Sequence, residues 1–314
     1  MIHSLSLCAE VVLDLHNLNS EGTEGNQQQT RMVHIVDKDG KRHVVNAISG
    51  DMLKHIFVEH LTPLLEEAGQ NLSAGAKVFS PDRVITDPAF KNAVKGKKQG
   101  SAIQEEMLKL CAVTDIAGTL LTEGNSVARK SCAEFGWVVG LPLKSLSEQY
   151  FHVKYDPDTR AKSAGQDDKG EGTVAGRQAI FHRPANSGVY ALVCHLELSR
   201  IGINDITRKE AISSDDRKKR QRAAIQALLS TLIKPSGAQR NTQNPHIVDC
   251  RGMISTSTSH LPAPTVSPLC AEYCDQMERI TATLNKLSPK SVAAKSFNSL
   301  AAGVAILEEI SSEV

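Results

Sequence analysis

Residues 5–16 read LSLCAEVVLDLH. Leu5, Leu7, Ala9, Val11, Leu13 and Leu15 fall on one parity, and Ser6, Cys8, Glu10, Asp14 and His16 on the other. A period of two is the mark of a β-strand with one buried face. The polar run that follows, HNLNSEGTEGNQQQT (16–30), reads as a long loop. Then Met32 to Val36 and Arg42 to Val45 flank Asp37-Lys38-Asp39-Gly40, a turn sequence joining a hairpin. Ser49 is suited to cap the next helix, whose apolar positions recur at 52/53, 56/57, 60/61 and 64/65. Pro63 is expected to kink that helix or end its first segment.

Further along, residues 69–106 lose periodicity and collect Gly, Pro, Ser and Lys, as in KNAVKGKKQGS. They are expected to be an inserted region of helix and exposed basic loop. Strands are expected at 127–140, 148–155 and Val189–Ser199, the last with Tyr190, Leu192, Cys194, Leu196 and Leu198 on one face. Between them, the polar, glycine-rich 156–180 region is expected to be a mobile loop. Helices are expected at about 215–233 and 269–287. Strands and helices in this order favour a single α+β domain over residues 1–314, built on an antiparallel sheet.

A chain of 314 residues with 40% hydrophobic and 23% charged content has ordinary globular composition. Its N-terminus lacks the basic region of a signal peptide, and no apolar run reaches the roughly 18–20 residues that cross a bilayer. A cytoplasmic protein with no membrane partner is therefore expected. Seven cysteines with no C-x-x-C pair read as reduced, packed thiols. Cys270 and Cys274, the nearest pair, are expected on the apolar stripe of one helix. Net charge is +1, yet Arg217, Lys218, Lys219, Arg220, Arg222, Lys234, Arg240 and Arg251 face only Asp249 in that span. Charge so segregated permits a basic surface on a nearly neutral protein. On the 215–233 helix a solvated charged face is the expectation.

Several chemistries find no motif. There is no P-loop, no dinucleotide-binding fingerprint after a strand, no G-x-S-x-G elbow and no H-E-x-x-H helix. His34, Asp37, Asp39 and His43 could hold a divalent ion and activate water. The turn reading outweighs this, because the aspartates of an Asp-Lys-Asp-Gly turn are standard hairpin chemistry. No cofactor or metal is expected. Aromatics make up 4% of the chain, and neither 5–16 nor 189–199 carries outward Phe/Tyr pairs for stacking bases. Such a surface would hold a nucleic acid by its phosphates. Candidate donors are Asn26, Gln28 and Arg31, then Arg42, the helix start at Ser49-Gly50, and Lys54 and His55 one turn on.

These stretches resemble the DevR-type CRISPR-associated family of the RAMP superfamily, the backbone subunit of type I Cascade complexes (Cas protein number seven). The matching pieces are SLCAEVVLDLHNLNSEG, GNQQQTRMVHIV, NAISGDMLKH, RQAIFHRPANSGVYALVCHLELSRIG, RKKRQRAAIQALL and KPSGAQRNTQNPH, in the expected order. The resemblance implies a modified RNA-recognition-motif (ferredoxin-like) palm with an inserted region and a thumb-like loop. It implies several copies assembled as a filament on a CRISPR RNA with other Cascade subunits, meeting target DNA through guide pairing. Carried over by motif, RNA contacts fall on Asn26, Gln28, Arg31, Ser49, Gly50, Lys54 and His55, and on Gln239, Arg240 and Asn241 in the late loop. Arg160 and Lys162 belong to the thumb candidate. The alternative it leaves open is a metal-dependent endoribonuclease of the type III backbone kind, using Asp37 or Asp39.

Overall fold

Strand β1 (Ser4–His16) is the axis of the sheet. The computed structural model describes residues 1–122, 126–154 and 179–314. In it β1 pairs antiparallel with β10 (Ala179–Leu196) on one side and β11 (His246–Ser257) on the other. Outward from this centre run β12 (Val292–Phe297) beside β11, and β9 (Val138–Lys154), β5 (Arg42–Ile48) and β4 (Met32–Val36) beyond β10. Helix α1 (Gly50–Glu67) lies between β1 and β9 in sequence, and α6 (Ser214–Ile233) between β10 and β11. The unit β1-α1-β9-β10-α6-β11 is therefore the β-α-β-β-α-β arrangement of a ferredoxin-like palm.

The strand expected to have one buried face has two. Leu5, Leu7, Ala9, Val11 and Leu13 enter the main core with Ile56, Phe57 and Leu61 of α1 and Ala224, Ile225 and Leu228 of α6. On the other face Cys8 packs with Met253, Tyr273 and Met277. There Ser6 Oγ donates to the Ala263 carbonyl and accepts from Thr265 Oγ1 (3.2 and 3.0 Å). Its small polar residues are covered because the 258–272 segment supplies partners for their hydroxyls. Periodicity alone could not reveal that lid.

Helix α1 starts as expected, with Ser49 Oγ accepting from the Met52 N–H. It does not break at Pro63. Leu61 and Leu65 on either side are fully buried, and burying side chains of this size, about 1.5–3 kcal/mol each, offsets a mid-helix proline's cost of about 3 kcal/mol. The expected loop over 16–30 holds a hairpin, β2 (Ser20–Glu24) with β3 (Gln27–Thr30), and β3 runs parallel to β10 at His182. Its strands are mostly solvent-facing, so polar residues build it and no apolar alternation marks it.

The crossover from α1 to β9 carries short helices: α2 (Ala74–Lys77), α3 (Pro88–Val94), α4 (Gly100–Leu110) and α5 (Ala112–Ala117). It also carries β6 (Thr119–Leu121) paired with β7 (Val127–Arg129), and β8 (Ala133–Phe135) on β10. The run expected as one strand at 127–140 is thus three pieces. Helix α7 (Tyr273–Leu287) begins after Cys270, so only Cys274 of that pair is on it, and both are partly buried. Helix α8 (Leu300–Ser312) closes the main core with Leu307 and Ile310. Of the expected mobile loop, 156–178 lie outside the described residues, as does 155 of the expected 148–155 strand, and 179–180 belong to β10. Among the described residues, no helix is long and apolar enough to cross a membrane.

The basic start of α6 is solvated at Lys218, Lys219 and Arg222, as expected, but not throughout. Arg217 and Arg220 are buried. Asp115 of α5, with no solvent exposure, receives Arg220 Nη1 at 2.9 Å, Arg129 Nη2 at 2.6 Å and the Gly202 N–H at 2.9 Å. Arg217 reaches the carbonyls of Ile201 and Ser199 and the Glu210 carboxylate. One carboxylate thus holds the crossover, β7 and α6 together. Breaking a buried pair leaves an uncompensated charge, so Asp115→Ala is expected to lower unfolding free energy by about 3–5 kcal/mol in chemical denaturation.

The end of β1 generates a second expectation. His16 is fully buried, its ring edge-on to Tyr190 at 5.1 Å, and burial lowers its imidazole pKa to about 4. Between an ordinary value of about 6.5 and that value, the unfolded chain binds a proton that the folded chain does not. Stability should fall as pH drops through this window and level off below it. His16→Phe should show a shallower decline in melting temperature over the same range.

Candidate nucleic-acid interface

Thr30, at the end of β3, organises the corner where β1, β5, β10 and α1 meet. Its hydroxyl donates to the Asn19 carbonyl (3.4 Å) and accepts from Asn46 Nδ2 and Asn186 Nδ2 (both 3.1 Å). Asn186 also donates to the His16 carbonyl, and the Tyr190 hydroxyl donates to Asn46 Oδ1. The Ser49 N–H donates to Asn19 Oδ1 at 2.8 Å, which orients the first turn of α1 against the β2–β3 hairpin. A buried network with this many members satisfied holds its elements in one arrangement.

Gly50 is required here, for a Cβ would stand 2.5 Å from the Phe135 carbonyl oxygen of β8. The side of the helix tip next to Gly50 is thus taken up by the protein's own backbone. Ser49, almost wholly buried, is occupied in capping. One turn on, α1 becomes a ridge with a hollow on each flank. On one flank His55, Met52 and Glu59 face the 236–241 loop, with Gln239, Arg240 and Asn241, across a groove of about 380 Å³. On the other, Lys54 and His55 face the segment around Phe79 and Arg83 across a cavity of about 440 Å³.

The late loop is seated on the end of β1. The Ala238 N–H donates to the Leu18 carbonyl at 3.1 Å, and Gly237 packs so close that a Cβ would lie 2.7 Å from that oxygen. Gln239 adopts φ +57° and its amide hydrogen-bonds Gln28 Oε1. Thus Gln28, Gln239, Arg240, Asn241 and His55, drawn from three separate stretches, form one surface. Asn26 sits at the exposed hairpin tip, its carbonyl accepting from the His182 N–H. Arg31 pairs with Glu21 at 2.5 Å and lies over the Trp137 ring at 5.4 Å.

Arg42 does not join this group. It stands opposite Val36 at the far end of the β4–β5 hairpin, on the order of 20 Å of strand from Ser49 at about 3.3 Å per residue. The hairpin turn next to it absorbs Asp37. Its carboxylate accepts from the backbone N–H groups of Asp39 and Lys41 and from His43 Nε2 at 2.7 Å, which holds it below the usual carboxylate range. Among the described residues no three His, Cys, Asp or Glu side chains gather as a metal site.

The sequence reading passed over the outer part of β9 and β10. There His152 and Phe181 stack at 5.5 Å and 12°, Phe151 meets His182 edge-on, and Tyr150 and Phe151 are exposed. Arg183 lies 4.8 Å from the Phe181 ring centroid and donates to Thr242 Oγ1 at 3.1 Å, joining this arm to the late loop. A signal existed, the Phe-His pair repeated in YFHVK (150–154) and AIFHRP (179–184), but only antiparallel pairing brings the two copies face to face. Arg160 and Lys162 lie outside the described residues.

Comparison with known proteins bears on this geometry. Residues 7–278 match the family described as CRISPR-associated negative auto-regulator DevR/Csa2. A CRISPR-associated protein Cas7/Cst2/DevR of Methanocaldococcus jannaschii is 24% identical over 298 residues, covering 90% of each chain. Among solved structures, a chain of a CRISPR RNA-guided surveillance complex is similar over 99% of both chains with a TM-score of 0.52 and 13% identity. A second, from such a complex in a pre-nicking state, has a TM-score of 0.50 with the same identity and coverage. With a palm of the expected order and a family match over most of its length, this chain belongs to the DevR/Csa2 CRISPR-associated family.

Proposed function

We propose that this chain is a non-catalytic, CRISPR RNA-binding backbone subunit of a type I surveillance complex. Copies of it line a guide RNA as a filament, alongside other Cascade subunits, and leave the bases to pair with target DNA. The observation that carries this reading is the groove between α1 and the 236–241 loop, where His55, Arg240 and Asn241 converge beside Gln28. These are donors of the kind that hold sugar and phosphate. Ser49 and Gly50 act by positioning the ridge. Arg31 supports the hairpin that shapes the groove. Arg42, at the far hairpin, would touch a strand only outside this groove.

Selection by pairing agrees with a surface that reads backbone, because a guide supplies the sequence information. Membership of the family and likeness in fold to surveillance-complex chains support the same assignment. Purified from its native host, the protein is expected to carry RNA of graded length in ordered oligomers. Absence of RNA from both the isolated chain and its natural assembly would overturn the proposal.

Two substitutions refine it. Arg240→Ala should weaken binding to single-stranded RNA evenly across sequences and lower the slope of log affinity against log salt by about one, measured by fluorescence anisotropy. The double variant Asp37→Ala/Asp39→Ala should bind RNA like the wild type, and neither protein should cut RNA in magnesium or manganese. Wild-type cleavage that the double variant abolishes would favour a metal-dependent endoribonuclease.

A further inference from the structure

The second hollow, on the other flank of α1, lies where the segment from Ser73 to Ile85 folds back on the helix. Lys54, His55, Phe79, Ser80 and Arg83 line it, with Asp51 at the helix start. Lys54 and Arg83 repel each other there, and burial together with the Arg83 charge lowers the Lys54 pKa. Burial lowers that of Arg83 as well. Among the described residues neither makes an ion pair within 4.0 Å, although Asp51 and Glu134 act on Lys54 from farther off. Arg83 Nη1 donates to the carbonyls of Ala117 and Gly118, which fix the guanidinium in place without neutralising it.

Two half-buried like charges turned to one cavity are unfavourable until an anion lies between them. The backbone around them is also held in a rare state. Phe79 has φ +56° and Arg83 φ +45°, left-handed conformations that side-chain-bearing residues seldom adopt. Hydrogen bonds from the Ser80 N–H to the Gly75 carbonyl and from the Arg83 N–H to the Ser80 carbonyl maintain them. Strain of this kind persists where the surroundings over-determine it, and ligand clamps are one such place. Phe79 remains 44% exposed and lines the same cavity as the cations.

We infer that this cavity is a second seat on the RNA strand, in which Lys54 and Arg83 share one phosphate and Phe79 lies against a neighbouring base. The inference rests on the RNA-binding reading above. His55 lines both hollows, so a strand leaving the groove at the late loop crosses the α1 ridge directly into this one. The crossover after α1 then grips nucleic acid as well as joining helix to sheet.

The test uses the full chain and fluorescently labelled single-stranded RNA over a salt series, with melting temperature recorded for every variant. Among the described residues Lys54 makes no hydrogen bond, so Lys54→Gln should fold normally and lower the salt slope by about one. Arg83→Gln should do the same, Arg83→Lys should restore the slope, and the Lys54/Arg83 double variant should lose less than the sum of the singles. Phe79→Ala should weaken binding by about fivefold or more at unchanged slope. Wild-type affinity and slope in folded Lys54→Gln, Arg83→Gln and Phe79→Ala, with Arg240→Ala still impaired, would overturn this seat and leave the groove standing. Failure of the wild type itself to bind RNA would overturn both.

Discussion

One hydroxyl, that of Thr30, ties the site to the fold. It is a donor to Asn19 and an acceptor for Asn46 and Asn186, so the β2–β3 hairpin, the link that leads into it from β1, and strands β5 and β10 converge on a single atom. From there Asn19 passes the constraint to the backbone amide of Ser49, the cap of α1. Each such bond adds only about 0.5–1.5 kcal/mol net, but a buried donor left without an acceptor costs about 1–3 kcal/mol. The network therefore works by excluding other arrangements of these elements. The ridge of α1 and the late loop seated on Leu18 inherit their relative position from it.

Two groups among the arginines serve different ends that composition cannot separate. Arg129, Arg217 and Arg220 are buried and their guanidinium groups end on Asp115, Asp205, Glu210 or backbone carbonyls. They hold the crossover and α6 onto the palm. Arg83, Arg183 and Arg240 instead keep to hollows or to the arm, where their nearest partners are carbonyls, hydroxyls and an aromatic ring. A chain with net charge +1 can thus present basic surface locally, because much of its negative charge is matched elsewhere.

The arm formed by outer β9 and β10 extends this division of labour. Its stacked His152–Phe181 pair and the Arg183 guanidinium stand beside the late loop. Stacking surfaces of this kind accept any base, since every base has a π-face. In the proposed RNA-binding role they would complement a phosphate grip without adding sequence preference.

Local patterns made part of this legible. The period-two run of β1, the DKDG turn and the Ser49 cap depend on residues within a few positions of one another, so their physics is written in order along the chain. Family resemblance supplied the palm and nominated Gln28, His55, Gln239, Arg240 and Asn241 one by one. The β2–β3 hairpin stayed hidden because exposed strands need no apolar alternation, and Pro63 misled because packing on both sides outweighs a lost hydrogen bond. By itself the sequence determined which segments are strands, turns and helix starts where neighbouring residues make the contacts. Only the tertiary structure decided that β1 is covered on both faces, that Arg220 meets Asp115 across 105 residues, and that His55 shares one groove with the late loop and another with Arg83. The reason is that burial and charge compensation are properties of what surrounds a side chain, and those surroundings come from segments far apart in the chain.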